Sequence, residues 1–230
     1  GTSYIGINSP EDKSGDWVTP FEQDPLLANT IYTGYDTVYK SSNGGSTWVS
    51  ISQGFGENLN HLKIAPSSNL VMYASFGNSL YKTINGGTTN WTQLSGFSGS
   101  INSIAIHPTN PNKVAIATTS DQKVYVSNNG GITWISYLYD LPDFSAQALV
   151  WENNGRDGLY LGMNYGVYYI DNEFNTSWQS FSNNLPNVII SELEINYADN
   201  KLYAATYGRG LWRTGLFDPS LSTGEFELSE

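Results

Sequence analysis

One eight-residue stretch, SSNGGSTW at 41–48, returns along the chain at a nearly constant interval. A second copy, TINGGTTNW at 83–91, carries one inserted residue, and a third, SNNGGITW at 127–134, needs no adjustment. A worn copy, DNEFNTSW, occupies 171–178, and the opening GTSY aligns with GSTW of the first copy, Tyr4 standing where the tryptophan would be. The aromatic anchors therefore fall at 4, 48, 91, 134 and 178, spaced by 44, 43, 43 and 44 residues. A fixed period of roughly 20 to 50 residues marks a repeat architecture, in which each unit buries its apolar face only by stacking on its neighbours.

Between anchors the same grammar recurs. The second repeat reads LKIAP up to Pro66, then VMYAS from Val71, SLYKT from Ser79, the glycine turn, and WTQL from Trp91. The third reads IAIHP to Pro108, VAIAT, KVYVS and WISY; the first reads FEQDP to Pro25, TIYTG, TVYKS and WVSI. These are short segments of period-two patterning bounded by turn residues, four per repeat. A proline closes the first strand of each, where no ladder donor is needed. Four-stranded units of about 40 to 45 residues predict an all-β chain of β-propeller blades. Aromatic residues at 14% and 23 glycines suit strands joined by tight turns, and no helical periodicity competes.

The last repeat runs LEIN, KLYAAT and GLWRT, then leaves as GLFDP, without a fourth strand, while the N-terminus offers an orphan strand, SYIGI from Ser3. Two arrangements follow. Residues 1–8 complete the last blade of a closed five-bladed ring, or the chain is part of a larger propeller; the start in mid-motif favours the second. Residues 1–216 are read as blades and 217–230 as a linker.

The recurring motif reads as a fastener. Gly45, Gly87 and Gly131 permit the left-handed backbone of a tight connection. Ser41, Asn43, Asn85, Ser127 and Asn129 offer side-chain oxygens to unpaired backbone N–H groups. Trp48, Trp91 and Trp134 can fold over the turn and bury apolar area.

A ligand face is expected at the opposite ends of the strands, where the turns between strands two and three read GYDT, FGNS, SDQK, NYGV and YGRG. They present Tyr35 with Asp36, Phe76 with Asn78, Asp121, Tyr165 with Asn164, and Tyr207 with Arg209. Connections between blades add Trp17, Phe55, Glu57, His61 and Asp143, and Trp151 ends an inner strand. Aromatics mixed with amides and carboxylates suit sugars, whose C–H faces stack on π surfaces while their hydroxyls need fixed partners. The competing reading is that these rings pack blade on blade.

Catalysis finds less support. Only Arg156, Arg209 and Arg213 are available for a substrate carboxylate, and no spacing pairs any two of Asp16, Asp24, Glu57, Asp143, Glu152 and Glu192 as glycoside hydrolysis requires. His61 and His107 have no nucleophile partner in the pattern. A net charge of −11 with ten Lys and Arg argues against nucleic acid. The chain has no cysteine and no apolar run of about 18 residues. No metal or cofactor is expected, and no signal segment is visible, so the sequence reads as a mature or excised piece.

The S-x-N-x-G-x-T-W pattern resembles the Asp-box of BNR repeat families, which include sialidases, xyloglucanase-type glycosidases and sortilin-like (Vps10) propellers, with Asn43, Asn85 and Asn129 in place of the usual Asp. GDWVTPF (15–21) and AATYGRGLW (204–212) look like stretches of secreted sortilin-like propellers of Bacteroidetes; the resemblance covers about residues 1–216. LSTGEFELSE (221–230) is similar to the linker entering a type IX secretion sorting domain. These resemblances imply export, a secreted or outer-surface location, contact with the type IX machinery, and a module that binds glycan or protein. A glycosidase, or a part of its cleft, is the alternative they leave open, and a structural or cargo domain is another.

Overall fold

The computed structural model describes residues 10, 13–219 and 226–229. Twenty strands form five four-stranded antiparallel sheets, each an up-and-down meander in sequence order, and no α-helix occurs among the described residues.

The chain divides into two compact units. The first, Gly1–Ser95, contains two sheets. One is β1 (Phe21–Gln23), β2 (Ile31–Gly34), β3 (Val38–Ser41) and β4 (Val49–Ser50); the other is β5 (His61–Ala65), β6 (Ser68–Phe76), β7 (Ser79–Thr83) and β8 (Thr92–Leu94). The second unit, Gly96–Glu230, contains three. They are β9 (Ile101–Ile106) to β12 (Ile135–Ser136), with β10 (Val114–Thr118) and β11 (Val124–Ser127) between; β13 (Ala146–Trp151), β14 (Leu159–Met163), β15 (Val167–Ile170) and β16 (Gln179–Ser180); and β17 (Ile190–Asn196), β18 (Lys201–Thr206), β19 (Gly210–Gly215) and β20 (Glu227–Leu228).

The second strands β10 and β14 are buried on both faces, which is why they read as continuous apolar runs. All five residues of β14 are buried. Leu159, Leu161 and Met163 pack with Ala105, Ala117 and Val126 of the preceding sheet, whereas Tyr160 packs with Leu193, Leu202 and Ala204 of the following one. Period-two alternation thus assigns each residue to one of two neighbours. At Gly162 a Cβ would lie 2.6 Å from Ile190 Cγ2, so only glycine allows β14 and β17 to approach this closely.

The last sheet departs from expectation. Its fourth strand comes from the segment read as a linker: β20 pairs with β19, Trp212 opposite Leu228 and Arg213 opposite Glu227. Phe226 is fully buried in the core shared with the preceding sheet, and its amide donates to Asn183 O at 2.9 Å. Burial of one aromatic ring contributes about 1.5–3 kcal/mol, enough to fix a short strand that alternation alone leaves invisible. The orphan N-terminal strand from Ser3 lies outside the described residues.

The recurring motif builds the same hydrogen-bonded turn three times. Ser41 Oγ donates to Asn43 Oδ1 (2.8 Å) and accepts from Gly45 N (2.8 Å), while Asn43 Nδ2 reaches Thr47 Oγ1 (2.9 Å). Thr83 and Asn85 repeat this with Gly87 and Thr89, and Ser127 and Asn129 with Gly131 and Thr133. In the worn copy Asp171 takes the serine's place and accepts from Glu173 N at 2.9 Å. The tryptophan then clasps the preceding sheet's exit. Trp91 Nε1 donates to Ile51 O (2.8 Å) and its backbone pairs with the Gln53 amide; Trp178 Nε1 donates to Tyr137 O (2.9 Å) and its N–H to Asp140 (2.8 Å). Trp134 packs edge-on against Phe97 at 5.6 Å, with its buried Nε1 unpaired, and Trp48 is half-buried.

Candidate binding cleft at the turns between strands two and three

In the first unit these turns are tied into packing. Tyr35 is half-buried, edge-on to Tyr39 at 6.1 Å, and Asp36 pairs with Lys13 at 3.0 Å. Phe76 stacks on Tyr81, which also meets Phe55 at 4.6 Å. Tyr35 and Phe76 thus each contact an aromatic of the third strand of their own sheet, and Asn78 is exposed. Trp17 is 98% exposed at the tip of a braced loop: its N–H donates to Asp16 Oδ1 (2.7 Å), and Asn60 Nδ2 holds Asp16 Oδ2 (2.8 Å).

In the second unit the turn at Tyr165 opens a cleft of about 450 Å³, lined by Phe144, Tyr165, Gly166, Tyr168, Ser180, Ser182 and Asn187. The turn needs Gly166, whose φ is +85° and whose missing Cβ would lie 2.6 Å from Ser182 Oγ. Ser182 Oγ both accepts from Val167 N (2.8 Å) and donates to Val167 O (2.9 Å), closing the far wall. Asn164 N donates to Ser145 O, and Gln147 Nε2 to Asn164 Oδ1 at 2.8 Å, fastening the near wall to the connection carrying Phe144. Phe144 and Tyr165 stand edge to face at 5.0 Å, with Tyr165 about half exposed. Among the described residues, the Tyr168 and Ser180 hydroxyls and the Asn187 amide have no hydrogen-bond partner, so they are free to meet a ligand. Burial pushes the Tyr168 phenol up, so it stays a neutral donor and acceptor.

Of the other expected residues, Tyr207 is 75% exposed and its N–H donates to Ile189 O on the connection that also supplies Asn187. Arg209 and Asp121 are exposed on their turns. Trp151 does not belong to this face. It is buried, its Nε1 donates to Ala105 O (3.2 Å), and Lys113 Nζ lies 5.0 Å above its ring. It closes an inner strand whose following turn shares the fastener end, and its ring packs in the apolar core with Leu149, Leu159 and Ala105. Phe144, Tyr168, Ser180, Ser182 and Asn187 escaped the sequence reading. A signal for Tyr168 exists: Tyr39, Tyr81, Tyr125, Tyr168 and Trp212 occupy the same place in successive third strands.

Two of the candidate carboxylates are structural. Asp24 accepts from Tyr32 OH (2.7 Å), Leu26 N, Leu27 N and Asn69. Burial opposes its charge, but those bonds outweigh it and hold the carboxyl below the usual range. Glu152, eight residues before Tyr160 as Asp24 is before Tyr32, accepts from Tyr160 OH at 3.0 Å. Here burial wins and pushes the carboxyl up. Among the described residues no group of three or more His, Asp or Glu is placed to hold a metal ion.

No protein-family model and no curated protein matches the sequence. Solved structures do. The chain superposes on an ancestral GH74 enzyme with a TM-score of 0.70 at 19% identity, covering 90% of this chain and 32% of that one. It superposes on the β-propeller domain of Cps50 (Swd1) from Myceliophteria thermophila with a TM-score of 0.71 at 15% identity, over 94% and 72% of the two chains. The fold is a β-propeller. YCF48 from Cyanidioschyzon merolae matches at 0.64 and 16% identity over 92% and 71%, and a YCF48 bound to D1 peptide at 0.62 and 14% over 91% and 65%. Propellers at these identities share the blade and not the ligand. The chain spans about a third of the GH74 enzyme's length.

Proposed function

We propose that this chain is a non-catalytic propeller module of a larger secreted or cell-surface protein, binding glycan in the cleft of Phe144, Tyr165 and Asn187. The observation that carries the reading is the cleft's lining. An exposed aromatic pair stands beside three polar groups with no hydrogen-bond partner among the described residues, in a space within the range of about 300–1,000 Å³ typical of small-ligand sites. A sugar presents C–H faces for the rings and hydroxyls for the amide and phenol. No lining residue is acidic, and Asp24 and Glu152 are committed to buried tyrosines, which supports binding over hydrolysis. A contribution to a glycosidase cleft completed by further sequence remains the alternative, prompted by the GH74 likeness. The fastener motif supports a place beside the BNR and sortilin-like propellers, and the tail's resemblance supports export by a type IX route.

A second reading is peptide recognition, favoured by the YCF48 propeller having been solved with a peptide. Affinity electrophoresis through gels containing soluble plant, algal or fungal polysaccharides separates the two. Retardation by at least one polysaccharide, lost in Tyr165→Ala and Phe144→Ala with unfolding midpoints unchanged, is the expected result. Retardation by none, with selection of a peptide motif from a display library, would replace the glycan reading.

A further inference from the structure

A second pocket, of about 220 Å³, lies between the β9–β12 and β13–β16 sheets and shares no lining residue with the cleft above. Its origin is an insertion in the clasp. In the first unit the indole acceptor, Ile51, and the residue that receives the tryptophan N–H, Gln53, are separated by one residue. In the second unit the corresponding pair, Tyr137 and Asp140, is separated by two. The extra length is absorbed at Tyr139, which holds φ at +39°, a left-handed conformation unusual for a bulky residue. Asp157 and Asn175, across the pocket, are also left-handed, at +56° and +54°. Asp and Asn take this conformation readily, so it is Tyr139 that shows the kind of backbone strain found at ligand sites.

The chemistry is specific. Tyr137 and Tyr139 lie 5.2 Å apart and tilted, with the buried Trp151 also lining the pocket. Both Tyr137 and Tyr139 phenols are pushed up by burial, so both are neutral. Among the described residues neither hydroxyl has a hydrogen-bond partner, and neither do the side chains of Asn175 and Thr176. Two carboxylates line the pocket and both are answered: Asp157 by Lys113 (2.8 Å), His107 (3.2 Å) and Asn172 (2.8 Å), and the buried Asp171 by Arg156 and the Tyr169 hydroxyl (3.1 Å). Burial first, then the Lys113 charge, keeps His107 below its usual value against the pull of Asp157, so the imidazole is neutral at pH 7. Asp157 and Lys113 cancel, as do Asp171 and Arg156. A pocket with aromatic walls, unpartnered neutral donors and acceptors and balanced charge selects a neutral polyhydroxyl ligand over an anion or a cation.

We propose that this pocket binds a single neutral sugar ring, its C–H face against Tyr139 and its hydroxyls on Tyr137, Asn175 and Thr176. The volume falls below the ~300 Å³ at which drug-sized sites begin, so one ring fits and a chain does not. The inference stands independently of the cleft. It is tested by saturation-transfer NMR with free D-glucose, D-galactose, D-mannose, D-xylose, L-fucose and N-acetyl-D-glucosamine. Transfer to at least one is expected, with affinity falling by about tenfold or more in Tyr139→Gly, which suits the left-handed backbone and removes the ring. Tyr137→Phe, which deletes one hydroxyl, weakens the same sugar by several-fold. Tyr165→Ala leaves it unchanged. No transfer from any of these sugars, transfer that survives Tyr139→Gly, or transfer abolished by Tyr165→Ala would each overturn the proposal, the last by moving the sugar to the cleft.

Discussion

Replacing Gly87 with alanine tests the clasp directly, because Gly44, one position earlier in the corresponding turn of the first copy, provides a left-handed control with open space around it. Both glycines are left-handed, at φ +81° and +67°. A Cβ on Gly44 meets nothing within 4 Å, so Gly44→Ala costs only the conformational strain, about 1–2 kcal/mol. A Cβ on Gly87 would lie 1.9 Å from Ile51 O, the oxygen that accepts the Trp91 indole at 2.8 Å. The carbonyl must move away and the indole bond goes with it, adding roughly 1–3 kcal/mol for a buried polar pair left unsatisfied. Steric displacement of backbone adds more, so Gly87→Ala is expected to cost at least ~2 kcal/mol beyond Gly44→Ala. For a chain of this size that difference lowers the melting temperature by roughly 4–8 °C. Urea unfolding followed by tryptophan fluorescence, at equal m-values, measures it. Equal midpoints for the two variants would refute the view that this turn grips the neighbouring sheet.

Two of the buried carboxylates, Asp24 and Glu152, carry opposite pH signatures. Asp24→Asn is expected to lose about 1.5–3 kcal/mol at pH 7, where the folded carboxylate holds its charge-assisted bonds. Because the folded pKa is lowered, that stabilisation is present above the unfolded value of 3.8 and is lost as pH falls through the folded one, so the variant and wild type converge in acid. Glu152, whose carboxyl is raised by burial, behaves in reverse. Its contribution is greatest below the unfolded value of 4.5 and declines as pH rises through the folded one, so Glu152→Gln gains on wild type towards pH 7. Urea midpoints at pH 4 and 7 for both variants decide this, and slopes of the same sign would show that the assignment of causes is wrong.

Much of the architecture is written in the 43-residue beat, because a repeat imposes the same alternation, proline stop and glycine corner on every unit. The turn formed by Ser41, Asn43 and Gly45 was legible for a local reason: its side-chain bonds join residues no more than four apart. The short β20 strand was not, since two residues of pattern cannot outweigh a linker-like composition; it is held by contacts far away in sequence, the burial of Phe226 in the core shared with the preceding sheet and the pairing of Glu227 with Lys201 and Arg213.

The binding surfaces divide the same way. Turn composition pointed to Tyr165 and Tyr207, whose exposure follows from their position at a strand end. Whether an aromatic at such a turn is a wall or a packing element depends on what lies across from it, which is why Tyr35 and Phe76 lean on Tyr39 and Tyr81 while Tyr165 faces an open cleft. Phe144, Asn187 and Tyr139 come from connections between sheets, where no period operates. Their partners are chosen by how neighbouring sheets stack, and chain order carries no record of that choice.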